Sequence, residues 1–192
     1  MSFYINLDSR IDRKEQFEEE CKKMNINPER FSAIKNDIGA IGCSESHMTI
    51  LKKARDLKLD HVIIFEDDFQ FLISTEEYNN ILSNLPPNYD VVMLSYNLRK
   101  SEPFNDMFGK CLEVQTCSGY IVHSRFYDKL ISNWEIALAL FKEYPYDDVS
   151  FCCDQFWKSL QPTSNWYYSL KRVGLQRPSF SSIMNTHVDY GV

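Results

Sequence analysis

The apolar run HVIIF, residues 61–65, constrains the fold of this chain more than any other feature. Its last four residues follow one another without a polar interruption. A strand with one face in water alternates polar and apolar residues, whereas an unbroken run indicates cover on both faces, as in the centre of a parallel sheet. The run therefore predicts an α/β fold built around this strand.

The flanking segments alternate between strand and helix patterns. The elements predicted upstream are a strand at 3–7, a helix at 12–23, a strand in RFSAI, and a helix that Ser44 caps and that runs through Lys58. The elements predicted downstream are a helix, the strands DVVML, CLEV and GYIVH, and a helix from near Arg125 to before Pro145. The segment between Pro103 and Gly109 is predicted to be a surface loop. This order favours βαβαβ at first and a mixed sheet later.

Composition limits the classes of protein to consider. With 192 residues, 44% hydrophobic and 25% charged, the chain is predicted to fold as one domain, 1–192. Lys and Arg number 21 and Asp and Glu 27, which gives a net charge of −6 and argues against nucleic acid as the main partner. The N-terminus lacks the apolar stretch of a signal peptide or integral membrane segment, and the six cysteines form no dense framework, so we expect reduced thiols in a cytoplasmic protein.

Three acids follow the apolar run directly. Ligands of open α/β sheets collect at the carboxyl ends of strands, where Glu66, Asp67 and Asp68 stand. In extended backbone Glu66 and Asp68 point the same way, while Asp67 turns aside. A divalent cation, Mg²⁺ or Mn²⁺, would relieve their mutual repulsion. The alternative is a solvated turn or a helix cap. The residues alone favour a metal-dependent nucleotide or phosphate enzyme.

Five longer motifs occur along the chain in the order YINLDSRIDR, GAIGCSESHMTILKKA, VIIFEDDFQF, YDVVMLS and SGYIVHSRFYDKLI. These motifs and their order resemble glycosyltransferase family 25, which includes lipopolysaccharide and collagen galactosyltransferases. The resemblance implies a GT-A type fold, with a Rossmann-like mixed sheet flanked by helices. It also implies a nucleotide-sugar-binding part at about 1–100 and an acceptor-side part at about 101–192.

The resemblance implies roles for the acids and for a late histidine. Asp68 would be the direct metal ligand, while Glu66 and Asp67 would orient the ribose, the sugar or metal-bound water. His187 would complete the metal shell, although a lone histidine near a C-terminus is more often exposed. In the late segment QRPSFSSI, Ser182 stands where the family more often has an acid.

The opening motif resembles the nucleotide edge of the family's site. Its matching residues are Asn6, Leu7, Asp8 and Arg13. Arg13 has an equally weighted alternative as an ion pair on a helix surface. His47, in the GCSESH segment, either contacts the donor or forms hydrogen bonds at the buried start of a helix. The second interpretation is favoured.

A base must accept the proton of the attacking hydroxyl, and Asp154 is the first choice. It resembles the acceptor-side acid of related GT-A enzymes, but Asp is also a favoured helix cap. Asp147 and Asp148 are close competitors. The aromatic residues around Trp157 are predicted either to form a wall for the acceptor sugar or to belong to the core. Cys152 and Cys153 have neither CxxC nor zinc-ligand spacing, so they receive no metal or redox role.

Together these features predict a metal-dependent inverting glycosyltransferase. The donor is a UDP-sugar, galactose first and glucose next, with Mn²⁺ or Mg²⁺ as the cofactor. The acceptor is a hydroxyl of a glycan, a lipid-linked glycan or a protein, which is compatible with peripheral contact at a membrane. Nucleotidyl or phosphoryl transfer is disfavoured because the chain has no Gly-rich phosphate loop or Walker lysine. A catalytically degenerate GT-A protein that binds nucleotide-sugars remains the alternative.

Overall fold

The computed structural model describes residues 1–144, 149–181, 186–189 and 191. Its strands are β1 (Ser2–Asn6), β2 (Glu29–Ser32), β3 (His61–Glu66), β4 (Phe69–Phe71), β5 (Val91–Met93), β6 (Asn97–Pro103), β7 (Phe108–Gln115), β8 (Gly119–His123), β9 (Trp166–Ser169), β10 (Gly174–Gln176), β11 (Ser179–Ser181) and β12 (Thr186–Val188). Its α-helices are α1 (Ile11–Met24), α2 (Gly39–Asp56), α3 (Thr75–Ser83), α4 (Tyr127–Glu143) and α5 (Cys153–Phe156), and short 3₁₀ helices follow at Ser124–Phe126 and Trp157–Thr163.

An eight-stranded mixed sheet organises the molecule in the order β2-β1-β3-β8-β5-β9-β7-β6. β1 runs parallel to β2 and β3, and β5 runs parallel to β9, whereas β8 lies antiparallel between β3 and β5. Two small antiparallel pairs, β4 with β10 and β11 with β12, lie outside this sheet. The predicted mixed α/β fold is confirmed.

Both faces of β3 are covered, as its unbroken apolar run predicts. Val62 and Ile64 pack into the cluster that contains residues of α2 and α4, whereas Ile63 and Phe65 pack into the opposite cluster with residues of α1 and α3. The likeness to the centre of a parallel sheet holds on one side of β3, where β1 is parallel, and not on the other, where β8 pairs with β3 in the antiparallel direction.

One local prediction also needs correction. Helix α2 begins at Gly39, and Ser44 lies within it, where its hydroxyl donates to the carbonyl of Ala40 and does not cap the helix. The first turns of the helix pack closely on the preceding segment: a Cβ at Gly42 would lie 2.4 Å from the carbonyl oxygen of Ile34. Strand β6 was not predicted from the sequence; it pairs with β7, and the loop predicted between Pro103 and Gly109 connects these two strands.

The topology brings three chain segments together at one edge of the sheet. β1 and β3 both end there, and the amide of Asp67 donates to the carbonyl of Ile5 at 3.1 Å. Because β8 is antiparallel, its beginning lies at the same edge, where the amide of Glu66 donates to Ser118 at 2.8 Å. No helix in the described part of the chain is long and apolar enough to cross a membrane.

Candidate active site

A cleft of about 590 Å³ opens at this edge of the sheet. Its walls come from the segment after β1, the start of α2, the turn after β3, the residues before β8, and the start of α5. Four cationic side chains are among its lining residues: Arg10, Arg13, Lys35 and Arg177. Acids and cations therefore face the same space, an arrangement that suits an anionic ligand bound together with a metal ion.

Arg13 joins the two aspartates of the turn after β3. It reaches out from the first turns of α1, and its Nη1 donates to Asp67 Oδ1 and to Asp68 Oδ2, both at 3.0 Å. Its Nη2 donates to the Ser179 hydroxyl and to the Phe180 carbonyl of β11. Only 13% of this side chain is exposed. Arg13 is therefore largely buried and connects the two aspartates within the site. It is not an ion pair on the surface of a helix.

Asp68 is incompletely satisfied in this setting. Its Oδ2 also accepts from Gln176 Nε2 at 3.2 Å, but its Oδ1 is buried and has no hydrogen-bond partner among the described residues. Burial raises the pKa of Asp68 to about 7, and the charge of Glu66 adds to this effect against the opposing charge of Arg13. Burial also raises the pKa of Asp67. The turn therefore carries more negative charge than Arg13 neutralises.

The orientation expected for the three acids is wrong. Asp67 and Asp68 converge on Arg13, whereas Glu66 faces away from them toward α2, with Oε1 at 3.2 Å from His47 Nε2. The alternation fails because β3 ends at Glu66 and the next two residues form a turn rather than extended backbone. All three acids nevertheless line the cleft.

The residues of the opening motif divide into lining and supporting positions. Leu7 lines the cleft. Asn6 is buried and does not line it: its amide donates to Asp67 Oδ2 at 2.7 Å and thereby fixes that carboxylate. Asp8 has a largely exposed side chain that accepts from Arg30 and Ser32 outside the cleft. Asp8 therefore supports the neighbouring strand β2 and is not part of the cleft wall.

His187 is not brought to the acids. It lies in β12, is exposed, and packs its ring edge-on against Phe180 at a centroid distance of 5.6 Å. Its neighbour Val188 lines the cleft, whereas His187 does not. Two residues of the late segment QRPSFSSI contact Asp68 instead: Gln176 donates to its carboxylate, and the backbone amide of Arg177 donates to its carbonyl at 2.8 Å. Ser182 lies outside the described residues.

Asp154 also lines the cleft, from within α5. Burial raises its pKa to about 6, and the backbone amide of Thr116, which donates to Oδ2 at 3.1 Å, opposes the rise. It does not cap the helix, because the N-cap position is Cys152. Thr116 has φ = 93°, an unfavourable conformation for a β-branched residue, and such outliers concentrate at functional sites. The competitors Asp147 and Asp148 lie outside the described residues.

Of the two interpretations of the aromatic residues around Trp157, a wall for the acceptor sugar or the core, the core is correct for Trp157 itself. Trp157 is fully buried, its indole nitrogen donates to the carbonyl of Val114 at 3.1 Å, and its ring stacks with Trp134 at 6.3 Å. It belongs to the core beneath α4. No aromatic side chain of the described residues lines the cleft.

A cluster of thiols forms part of the cleft wall, and the sequence interpretation missed it. Cys43, His47 and Cys153 place their ligand atoms within 4.8 Å of one another. Cys117 Sγ lies 3.4 Å from Cys153 Sγ. Hydrogen bonds from the Cys117 and Cys43 thiols hold the pKa of Cys153 well below its usual range. The available signal was the Cys-x-x-x-His spacing in GCSESH, which puts two ligands on one helix face.

Comparisons with known proteins agree with the fold and the motifs. The structure is similar to that of a glycosyltransferase involved in the glycosylation of the major capsid of PBCV-1, with a TM-score of 0.57, 11% identity, and coverage of 87% of this chain and 79% of that one. It is also similar to A197 from STIV, with a TM-score of 0.51, 14% identity and coverage of 93% of each chain. No curated protein sequence matches the chain.

A family model described as "Glycosyltransferase family 25 (LPS biosynthesis protein)" matches residues 37–127. That segment contains the GCSESH helix, the acid turn and strand β8. The fold and this match define the class of the protein, which is a glycosyltransferase with a GT-A-like mixed sheet. The matched residues make up just under half of the chain, and over that segment the resemblance to glycosyltransferase family 25 predicted from the motifs is confirmed.

Proposed function

We propose that this glycosyltransferase moves a hexose, galactose first and glucose next, from a UDP-sugar to an acceptor hydroxyl with inversion. The acceptor is a glycan, a lipid-linked glycan or a protein. The observation that carries the proposal is the acid turn: Asp67 and Asp68 are buried at the cleft beside cationic side chains, and one buried oxygen of Asp68 has no hydrogen-bond partner among the described residues.

The acid turn fits a hard divalent cation, Mn²⁺ or Mg²⁺. Carboxylate oxygens are the ligands that such ions prefer. The unpartnered Oδ1 of Asp68 and the raised pKa of this carboxyl both indicate charge that the surrounding residues leave uncompensated. Asp68 would hold the ion, with Asp67 beside it. When bound, the cation would stabilise negative charge on the leaving nucleoside diphosphate.

The side chains around the turn would bind and orient the donor. Arg10, Lys35 and Arg177 line the cleft and supply positive charge for a diphosphate. Asn6 and Arg13 hold the two aspartates in place through the hydrogen bonds described above. The acids are therefore positioned before a ligand arrives, which lowers the reorganisation required at the moment of reaction.

Asp154 would accept the proton of the attacking hydroxyl. A pKa of about 6 keeps most of this carboxyl ionised at neutral pH while leaving it more basic than an exposed aspartate. Its carboxylate is oriented by the amide of Thr116, and it lines the same cleft as the acid turn. In an inverting mechanism, the base and the leaving group stand on opposite sides of the sugar.

The proposal is tested by thermal unfolding across a panel of nucleotide-sugars, in Mn²⁺ and in a chelator, together with assays of donor hydrolysis. We expect one UDP-sugar to raise the melting temperature only when Mn²⁺ is present. Asp68→Ala should abolish this response, whereas Asp128→Ala, which removes an exposed carboxylate on α4, should preserve it.

The outcomes separate the active enzyme from its alternative. A UDP-sugar response without transfer to any acceptor in a glycan, lipid-linked glycan and protein panel would favour a degenerate nucleotide-sugar-binding protein. If no nucleotide-sugar stabilises the wild type under either condition, the proposed donor site is wrong.

A further inference from the structure

We infer that Cys43, His47 and Cys153 bind a thiophilic divalent cation, Zn²⁺ first, at a second metal site separate from the acid turn. The three ligand atoms lie within 4.8 Å of one another. In a tetrahedral zinc site with bonds of about 2.0–2.3 Å, neighbouring ligand atoms lie roughly 3.5–3.8 Å apart. Small rotations of the side chains would therefore bring the set to bonding distance.

The fold delivers these ligands from two helices. Cys43 and His47 are one helical turn apart on α2, so their side chains leave the same face of that helix. Cys153 is the first residue of α5, which packs against α2 and α4. Ligands far apart in sequence thus meet at a junction of helices that the sheet holds in place.

His47 is held in an orientation suited to a metal ligand. It is fully buried, and its Nδ1 lies 2.8 Å from the hydroxyl of Tyr120, which is also fully buried. A metal-binding histidine usually engages its second ring nitrogen in such a hydrogen bond, which fixes the ring and its tautomer. Nε2 then points toward the cluster, and a cation there would satisfy it.

Glu66 can provide the fourth ligand. Its Oε1 lies 3.2 Å from His47 Nε2 and 3.7 Å from Cys43 Sγ, and carboxylates bind zinc alongside thiolates and imidazoles. Cys43, Cys153 and Glu66 all line the cleft, so an ion has a path from solvent. This role for Glu66 also accounts for its turning away from the aspartates.

The chemistry of the ligands distinguishes this site from the acid turn. Sulfur and imidazole nitrogen select Zn²⁺ or Co²⁺, whereas carboxylate oxygens alone suit Mg²⁺ and Mn²⁺. The competing interpretation is a disulfide between Cys117 and Cys153, whose sulfurs lie 3.4 Å apart. A disulfide would leave the convergence of Cys43, His47 and Glu66 without a role.

The test is a titration of the reduced full chain with Co²⁺, followed by visible and near-ultraviolet absorption. We expect one equivalent to produce cobalt–thiolate charge-transfer bands and the intense visible bands of a tetrahedral ion, and we expect Zn²⁺ to abolish them. Cys43→Ala and Cys153→Ala should each remove or greatly weaken the charge-transfer bands. Tyr120→Phe should weaken binding by about 10-fold or more, because it removes the partner of His47 Nδ1.

Two control variants make the result specific. Cys21→Ala removes a buried thiol of α1 in the core on the opposite face of the sheet, and it should keep the full spectrum. Asp68→Ala should also keep it, since the acid turn is a separate site. Retention of the bands in Asp68→Ala therefore distinguishes this inference from the proposed donor site, whatever the outcome for nucleotide-sugars.

A second measurement does not depend on any variant folding. Alkylation of the native wild type, read by peptide mass spectrometry, should be slowed by Zn²⁺ at Cys43 and Cys153. The inference is overturned if the reduced protein shows no cobalt–thiolate bands, if the bands survive Cys153→Ala, or if Zn²⁺ leaves the alkylation of both cysteines unchanged. If the reduced chain binds no cobalt, and added oxidised glutathione converts Cys117 and Cys153 to a disulfide with release of reduced glutathione, the pair would be assigned to redox chemistry.

Discussion

At the scale of single residues, Asp154 shows how an environment adapts an ordinary side chain to a task. Burial at the cleft wall raises its pKa to about 6, while the amide of the strained Thr116 keeps it oriented and limits the rise. A buried carboxyl with a directed hydrogen bond and a raised pKa is typical of a group that exchanges a proton in a reaction.

We expect Asp154→Asn to lower kcat for sugar transfer by roughly 10²–10⁴-fold, the usual contribution of a general base, while the affinity for the donor stays close to that of the wild type. In the wild type, kcat should fall as the pH drops below about 6, because protonation removes the base. Steady-state kinetics from pH 5 to 8, with the donor affinity measured separately, provide the check.

The control for this substitution is Asp128→Asn, which changes an exposed carboxylate that pairs with Arg55 on the surface. It should leave both kcat and donor affinity unchanged. Full transfer activity in Asp154→Asn would exclude it as the base and turn attention to Asp147 or Asp148.

At the scale of elements, the short helix α5 and the 3₁₀ turn after it combine a site residue with a core residue. Asp154 faces the cleft, whereas Trp157, three positions later, is fully buried and donates to the carbonyl of Val114 in β7. Packing of Trp157 against Trp134 and Trp166 anchors this segment to α4 and to the sheet. The core thereby fixes the position of the proposed base.

Trp157→Ala should therefore destabilise the fold by about 3–5 kcal/mol, as is usual when a buried aromatic side chain is truncated. Urea unfolding followed by circular dichroism measures this change. Tyr144→Ala, at an aromatic residue that is 52% exposed, should change stability by less than about 0.5 kcal/mol. A stable Trp157→Ala protein with weakened acceptor binding would instead restore the sugar-wall interpretation.

At the scale of the whole molecule, three carboxyls with raised pKa values, those of Asp67, Asp68 and Asp154, link stability to pH. Asp68, near 7, and Asp154, near 6, each hold a proton in the folded protein that the unfolded chain has released, above a pKa of about 3.8. Between a pH of about 3.8 and the raised pKa of each group, the folded state binds more protons than the unfolded state. These groups therefore favour folding at low pH, and their contribution to stability is lost as the pH rises through the raised pKa values.

We expect Asp68→Asn to gain stability relative to the wild type as the pH is raised from about 5 to 8 in a chelator. Asparagine cannot ionise, so the variant avoids the loss of folding stability that ionisation of the buried Asp68 carboxyl causes in the wild type as the pH rises. The measurement is urea unfolding of both proteins at several pH values. The difference between them cancels the opposing effect of His61 and His123, whose pKa values burial lowers.

Mn²⁺ should reduce this difference, because the ion stabilises the ionised Asp68 of the wild type. An unchanged difference between the two proteins from pH 5 to 8 would contradict the raised pKa of Asp68.

The sequence by itself determined the architecture around β3 and the resemblance to a family. An unbroken apolar run indicates a strand that is covered on both faces. The acids that follow it directly therefore lie at the carboxyl end of that strand. The motifs from GCSESH to SGYIVH carried enough ordered detail for the family to be recognised, because each is read along the chain without knowledge of long-range contacts.

Only the tertiary structure decided what the individual side chains meet. That Arg13 bridges Asp67 and Asp68, and that Glu66 turns toward His47, depends on how β1, α1 and α2 pack at one edge of the sheet. The meeting of Cys43 with Cys153 spans most of the chain and has no local signal. Local patterns specify backbone conformation and burial, whereas a site is a set of long-range contacts that the fold assembles from distant segments.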